Sequence, residues 1–148
     1  MKYATNSRAR YDYDILDTVE VGVVLLGQEV KAVKAGKVSI KGAFVKIMSG
    51  ELWLIGATVS PYQPNNTPKD YDQTRSRKLL LKKDQLKKLI GKTEEKGVTL
   101  VPLNLYGKRG YVKLEVGIAR GKKKYDKREK IKKREFDIQK GRMLRKKQ

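Results

Sequence analysis

Two runs, VTLVPLNLY (98–106) and YVKLEVGIA (111–119), separated by GKRG, constrain this chain more than any other segment. In the second run Val112, Leu114, Val116 and Ile118 alternate with Lys113 and Glu115, so one face is apolar and the other polar. A period of two cannot be placed on a helix, and the pair reads as an antiparallel hairpin. At 148 residues the chain has room for one globular domain with a real core, and not for two ordinary domains plus a tail.

The rest of the first four-fifths fits around that hairpin. YDILDTVEVGVVLL (13–26) is rich in β-branched residues and reads as a strand; Gly22 inside it marks a bulge or a close backbone approach. GQEVKAVKAG (27–36) reads as a short helix stopped by Gly36, with Lys31 and Lys34 on a different face from Val30 and Val33. AFVKIM (43–48) and ELWLIGATV (51–59) are strands joined through Ser49-Gly50, a good two-residue hairpin turn. Trp53, the one tryptophan, reads as core or platform in preference to a dedicated base-stacker. The proline-rich stretch between Ser60 and Thr74 reads as a mobile loop. Leu86, Leu89 and Ile90 mark one face of a helix that ends at Gly91. About five strands with two or three short helices make a mainly β fold, a small closed or partly closed barrel. Composition does not choose among such barrels.

Charge bounds the partners. Lys and Arg number 36 against 16 Asp and Glu, a formal net charge of +20. A chain under that self-repulsion calls for a polyanion, and nucleic acid leads because Lys and Arg release condensed counterions from phosphates. No apolar run approaches the ~20 residues of a membrane span, and residues 1–10 carry no signal-peptide core, so no membrane partner and a cytoplasmic location are expected. Cysteine and histidine are both absent. That removes disulfides, thiolate zinc sites and every Ser–His or Cys–His pair. No carboxylate cluster has the spacing of a metal or hydrolase site. The chain is not expected to be an enzyme or to hold a cofactor; a small His-free nuclease is the distant alternative.

About half of the excess charge is crowded into the end. Residues 119–148 hold 15 Lys/Arg and 4 Asp/Glu, including GKKKYDKREKIKKRE (121–135). Drawn as a helix, Ile131 and Ile138 share a face while Phe136 and Met143 lie nearly opposite, so no single apolar stripe exists to dock on the body. Such a segment stays disordered alone and orders when a polyanion neutralises it. A pure solubility tail has no use for Tyr125, Ile131, Phe136 and Met143. Aromatic and Arg groups in basic surroundings suit stacking on bases.

The ordered set NSRARYDYDI (6–15), TVEVGVVLLGQEVKAVKAG (18–36), TRSRKLLL (74–81) and GKKKYDKRE (121–129) resembles the SmpB family, the SsrA-RNA-binding proteins of bacterial trans-translation. The resemblance runs from about Asn6 to the end. It implies an OB-type barrel over 1–120 with peripheral helices, and a basic tail over 121–148 that is disordered alone and helical on the ribosome. It also implies the work: binding the tRNA-like domain of transfer-messenger RNA (tmRNA), delivering it to stalled ribosomes, and mimicking the missing anticodon stem. The tail then enters the decoding centre, against ribosomal RNA, and the empty mRNA channel. The free protein is expected to be a monomer. A general structured-RNA-binding or ribosomal protein is the alternative that a basic barrel with a basic tail leaves open.

Residues carry over where the motifs match. Tyr13 and Glu20 fall on the family's Tyr and Glu of the first strand. A carboxylate among cations can accept hydrogen bonds from nucleotide edges or sugars; it can equally orient a neighbouring Lys or Arg. Leu80 and Lys113 match RNA-contacting positions, although Leu79 and Leu81 alternate with Leu80 and only one parity can face out. Lys31, Lys34, Arg75 and Lys78 are candidate phosphate contacts. In the tail the resemblance implies ribosome contacts by Lys122, Lys123, Lys124, Tyr125, Asp126, Lys127, Arg128, Lys133 and Arg134. Tyr11 and Tyr125 stand where the family often has His, and Ala32 where it often has Ser after EVK. Tyrosine keeps stacking but cannot become cationic.

Overall fold

The structure is a computed structural model, and it describes residues 1–122. The expectations for Lys123, Lys124, Tyr125, Asp126, Lys127, Arg128, Lys133 and Arg134 lie outside the described residues.

The predicted hairpin is the spine of the fold. It consists of β8 (Val98–Lys108) and β9 (Tyr111–Gly121), each 11 residues long. The turn is tighter than GKRG: Arg109 and Gly110 both have positive φ, at 53° and 82°, the two-residue geometry that matches strand twist. Val112, Leu114, Val116 and Ile118 are buried as the alternation requires. Against β9 lies β2 (Tyr13–Val23), paired from Tyr13 opposite Gly121 to Gly22 opposite Lys113, with a register shift between Ile15 and Asp17.

Among the described residues nine strands form where about five were expected. The additional ones are β1 (Lys2–Thr5), the two-residue β3 (Val38–Ser39) and β6 (Thr58–Val59), and β7 (Arg77–Leu80). Strands β4 (Phe44–Met48) and β5 (Glu51–Ile55) make the expected hairpin, with Ser49 and Gly50 at φ 52° and 73°. The single strand expected over 51–59 is broken instead at Gly56, whose φ of 82° turns the chain out of β5 before β6 begins. Around the main sheet the order is β8–β4–β5–β7–β2–β9, and β9 pairs back to β8, so six strands close into a ring with β1 added along β8. The closing contact between β4 and β8 rests on one register pair, Val45 opposite Leu100.

Among the described residues three short α-helices surround the ring. α1 (Ala9–Asp12) covers a small second cluster of Ala9, Val101, Leu103 and Ala119, so β8 is buried on both faces here. α2 (Gly27–Lys34) ends as expected, with Gly36 at φ 80°. Eight residues are too few for propensity to hold a helix; burial of Ala32 and Val33, both at 0% exposure, holds it. α3 (Lys83–Thr93) presents Leu89 to the core, with Leu86 packed alongside. It does not stop at Gly91: an interior glycine costs only ~1 kcal/mol relative to alanine, and the helix continues two residues further, to Thr93.

The 60–74 segment is not free at its far end. Glu29, the third residue of α2, is 1% exposed and accepts hydrogen bonds from the guanidinium groups of Arg75 and Arg77 and from the backbone N–H of Leu26. The Tyr71 hydroxyl lies 2.9 Å from Glu29 Oε2 and 3.0 Å from the Val59 carbonyl. Arg77 also donates to the carbonyls of Ala57 at 2.8 Å and Gln73 at 3.0 Å. One carboxylate thereby ties α2, the loop and β7 together.

Candidate nucleic-acid interface

On the outside of the ring, four strands bring four residues into line. Tyr106 of β8 is opposite Lys113 of β9, Lys113 is opposite Gly22 of β2, and Gly22 is opposite Leu80 of β7. Residues in register share a face and stand ~5 Å apart, so the row runs about 15 Å across the surface. β7 settles the question of parity among the three leucines: Leu79 points inward at 2% exposure, and Leu80 points outward at 53%. Gly22 leaves a dent in the row. A Cβ placed there would meet Leu80 Cβ at 3.5 Å and Lys113 Nζ at 3.8 Å.

Glu20 sits one step along β2 on the same face. Its carboxylate accepts a short hydrogen bond from the Tyr106 hydroxyl and an ion pair from Lys108 at 3.3 Å. The Tyr106 bond, helped by Lys108 and Lys113 and opposed by partial desolvation, lowers the Glu20 pKa below its ordinary value. Tyr106 is pushed the other way, by burial and by the carboxylate it serves. Glu20 is therefore an ionised acceptor held in one orientation at the edge of the row. Sequence reasoning missed Tyr106; the hairpin register, which places it opposite Lys113, was the signal that could have found it.

Beside the row lies an open groove of about 360 Å³ lined by Gly22, Leu25, Val30, Leu80, Tyr111 and Lys113. Tyr111, at the hairpin tip, is 71% exposed. Apolar walls with a lysine at the lip and a fixed carboxylate nearby make a surface that can take a base or sugar face, a phosphate and a hydrogen-bond donor together.

The other candidates divide. Lys34 reaches the same area, its Nζ 3.4 Å from the Gly110 carbonyl at the hairpin tip. Lys31, also exposed, lines a separate hollow with Gln28, Tyr62 and Gln63. Lys78, the next outward position on β7 after Leu80, pairs with Glu51 at 3.1 Å. The Arg75 guanidinium is engaged by buried Glu29 and is 28% exposed. Tyr13 stands at the far end of β2, packed on the second cluster and away from Glu20. Lys122 is anchored to the body: its Nζ donates to the Arg10 carbonyl at 2.9 Å and lies 3.8 Å from Asp14, and its backbone N–H bonds to the Asp12 carbonyl at 3.0 Å.

Among the described residues no cluster of acidic side chains could hold a metal ion, and no helix is long and apolar enough to cross a membrane. Compared with known proteins, the chain matches the family described as SmpB protein over residues 3–146. The chain belongs to the SmpB family. An SsrA-binding protein of Ralstonia nicotianae is 51% identical over 147 residues, 99% of both chains. One of Thermosynechococcus vestitus is 51% identical over 130 residues, covering 88% of this chain and 86% of its own. A solved SmpB chain, described with the words "tmRNA-SmpB: a journey to the center of the bacterial ribosome", is 49% identical with a TM-score of 0.65, covering 81% of this chain and 84% of that one. In this SmpB-family member, then, Glu20, Leu80 and Lys113 share one outer face with Tyr106, while Tyr13 and Arg75 are held elsewhere.

Proposed function

We propose that this chain binds the tRNA-like domain of tmRNA and delivers it to stalled ribosomes in trans-translation. SmpB is a family of RNA-binding proteins and not of enzymes, and its relatives are SsrA-binding proteins. One observation supports the reading above the others: Leu80 of β7, Gly22 of β2 and Lys113 and Tyr106 of the β8–β9 hairpin meet in a single outward row with Glu20 at its edge. Leu80 and Tyr111 offer apolar faces to a base or sugar, Lys113 and Lys34 hold phosphates, and Glu20 accepts from an exposed amino group or 2′-hydroxyl. The body to Lys122 is the RNA reader. The tail beyond Lys122, including Tyr125, Asp126, Lys127 and Arg128, enters the decoding centre and the empty mRNA channel and stands in for the missing anticodon stem.

The test is separation of the two activities in a reconstituted translation system with ribosomes stalled on a truncated message. β9 runs to Gly121 and Lys122 is pinned to α1, so the truncation is placed after Lys122. The 1–122 protein is expected to bind tmRNA as the full chain does and to fail in peptide tagging. Tagging that survives the deletion removes the tail from the mechanism, and tmRNA binding that disappears with it removes the body.

A further inference from the structure

A second aromatic platform lies on the ring, two strands round from Gly22. Trp53 is in the outward parity of β5, between Leu52 and Leu54, which are 1% and 2% exposed. It is half-buried yet belongs to neither apolar cluster of the fold. Across the strands it is opposite Lys46 on β4 and Lys78 on β7, so a lysine stands in register on each side of it. Phe44, two residues before Lys46 on the same face, is 48% exposed. Lys78 pairs with Glu51, whereas the Lys46 side chain makes no hydrogen bond or ion pair among the described residues and Lys46 is exposed. A tryptophan that packed the core would point inward; one that merely filled the surface would need no lysine on either side.

We infer that Trp53 is a stacking platform for an unpaired nucleotide of the RNA held at the Glu20–Lys113 row, with Lys46 taking the adjoining phosphate. Base–aromatic stacking tolerates any base, and a cation beside the ring tracks the backbone. Continuity commits the occupant: Lys78 and Leu80 are successive outward residues of β7, so the face carrying Trp53 joins the row without a break. The inference rests on the proposed binding of the tRNA-like domain and extends it to β5 and β4.

Trp53 is the single tryptophan of the chain, so its emission reports on this position alone. The full-length protein is titrated with the tRNA-like domain of tmRNA while fluorescence and gel mobility are followed in parallel. Quenching of Trp53 is expected to rise with the same midpoint as the mobility shift. Trp53→Leu is expected to weaken binding about 10-fold and Trp53→Phe, which keeps a ring, by no more than about 3-fold. Lys46→Ala should lower the salt slope of binding by about one. Full binding with unchanged emission overturns the inference and leaves the proposed function standing, as does a Trp53→Leu protein, folded by circular dichroism, that binds like wild type. Emission that responds to ribosomes and not to the tRNA-like domain overturns the chosen occupant. An absence of any mobility shift in the wild-type protein overturns the proposed function and this inference with it.

Discussion

Glu29 and Arg77 form an ion pair with both side chains withdrawn from water, at 0% and 1% exposure, between a helix near the start of the chain and a strand 48 residues later. Arg77 is forked onto Glu29 and onto the carbonyls of Ala57, between β5 and β6, and of Gln73 in the 60–74 loop, and Arg75 adds a second guanidinium from the rim. Removing one member of such a set strands the others as uncompensated buried charge. Glu29→Ala is expected to destabilise the fold by about 3–5 kcal/mol, read as a shift in the urea midpoint. Arg75→Ala should cost clearly less, because Arg75 reaches solvent. Equal losses from the two would contradict the assignment of Glu29–Arg77 as the buried centre.

The same carboxylate sets an acid limit. Burial pushes the Glu29 pKa up, but hydrogen bonds from Arg75, the Leu26 N–H, Arg77 and Tyr71 outweigh it and hold the value at about 2, against an ordinary 4.5. A pKa depressed by folding contributes stability that is present above the unfolded value and lost as pH falls toward the folded one. Stability should therefore decline from about pH 4.5 to about pH 2 in the wild-type protein. Glu29→Gln should flatten this part of the pH profile in a denaturation series, at the cost of lower stability at neutral pH.

These elements show where sequence reasoning stopped. The β8–β9 hairpin was legible because its period is unambiguous over nine residues, and α2 because Gly36 punctuates it. Leu79, Leu80 and Leu81 were not: three like residues in a row carry no parity, and only pairing of Leu80 with Gly22 and of Leu79 with Val23 decides which side is wet. Glu29 draws no notice within the motif GQEVKAVKAG, since nothing local announces partners 46 and 48 residues on. Gly91 does not end its helix and Gly56 does break its strand; the difference lies in the backbone, with Gly56 at a φ of 82° and Gly91 absent from the positive-φ glycines. Of the candidate site, Glu20, Leu80 and Lys113 came together, because strand register transmits position over distance, whereas Tyr13, at the far end of β2, did not. Those named for charge alone, Lys31 and Arg75, did not join them.

Glu20 and Tyr106 should act as a unit. Glu20→Gln keeps the shape and removes the anionic acceptor, and is expected to weaken tmRNA binding about 10-fold by analogy with specific base contacts. Tyr106→Phe frees the carboxylate to rotate and should give a smaller loss, together with a Glu20 pKa that moves back up toward its ordinary value in an NMR titration. Unchanged binding in both variants would assign the pair to orienting Lys108 and nothing more.

Gly22 separates folding from binding. A Cβ there stands at ordinary contact distance from Leu80, so Gly22→Ala should keep its melting temperature within a few degrees. The methyl group fills the dent in the row, and RNA affinity should fall about 5-fold or more, on the scale of one lost well-fitted contact. Loss of affinity with loss of fold would leave the row without support from this variant, and full affinity would count against it.

Lys113 is the cation of the row. Lys113→Ala should reduce affinity uniformly across RNA competitors and lower the slope of log K against log salt by about one. A change in preference among RNAs, with the slope intact, would mean that Lys113 reads a base.

The central claim is that the body's outer row, and not the basic tail, recognises the tRNA-like domain. The direct measurement is the affinity of the full chain and of residues 1–122 for that domain, titrated against salt in the presence of excess bulk tRNA. The account predicts that the two proteins bind alike, that the tail adds salt-sensitive affinity of little consequence at physiological ionic strength, and that bulk tRNA does not displace the complex. Binding that collapses without the tail, or that yields to bulk tRNA, would make the chain a general structured-RNA binder with an electrostatic arm.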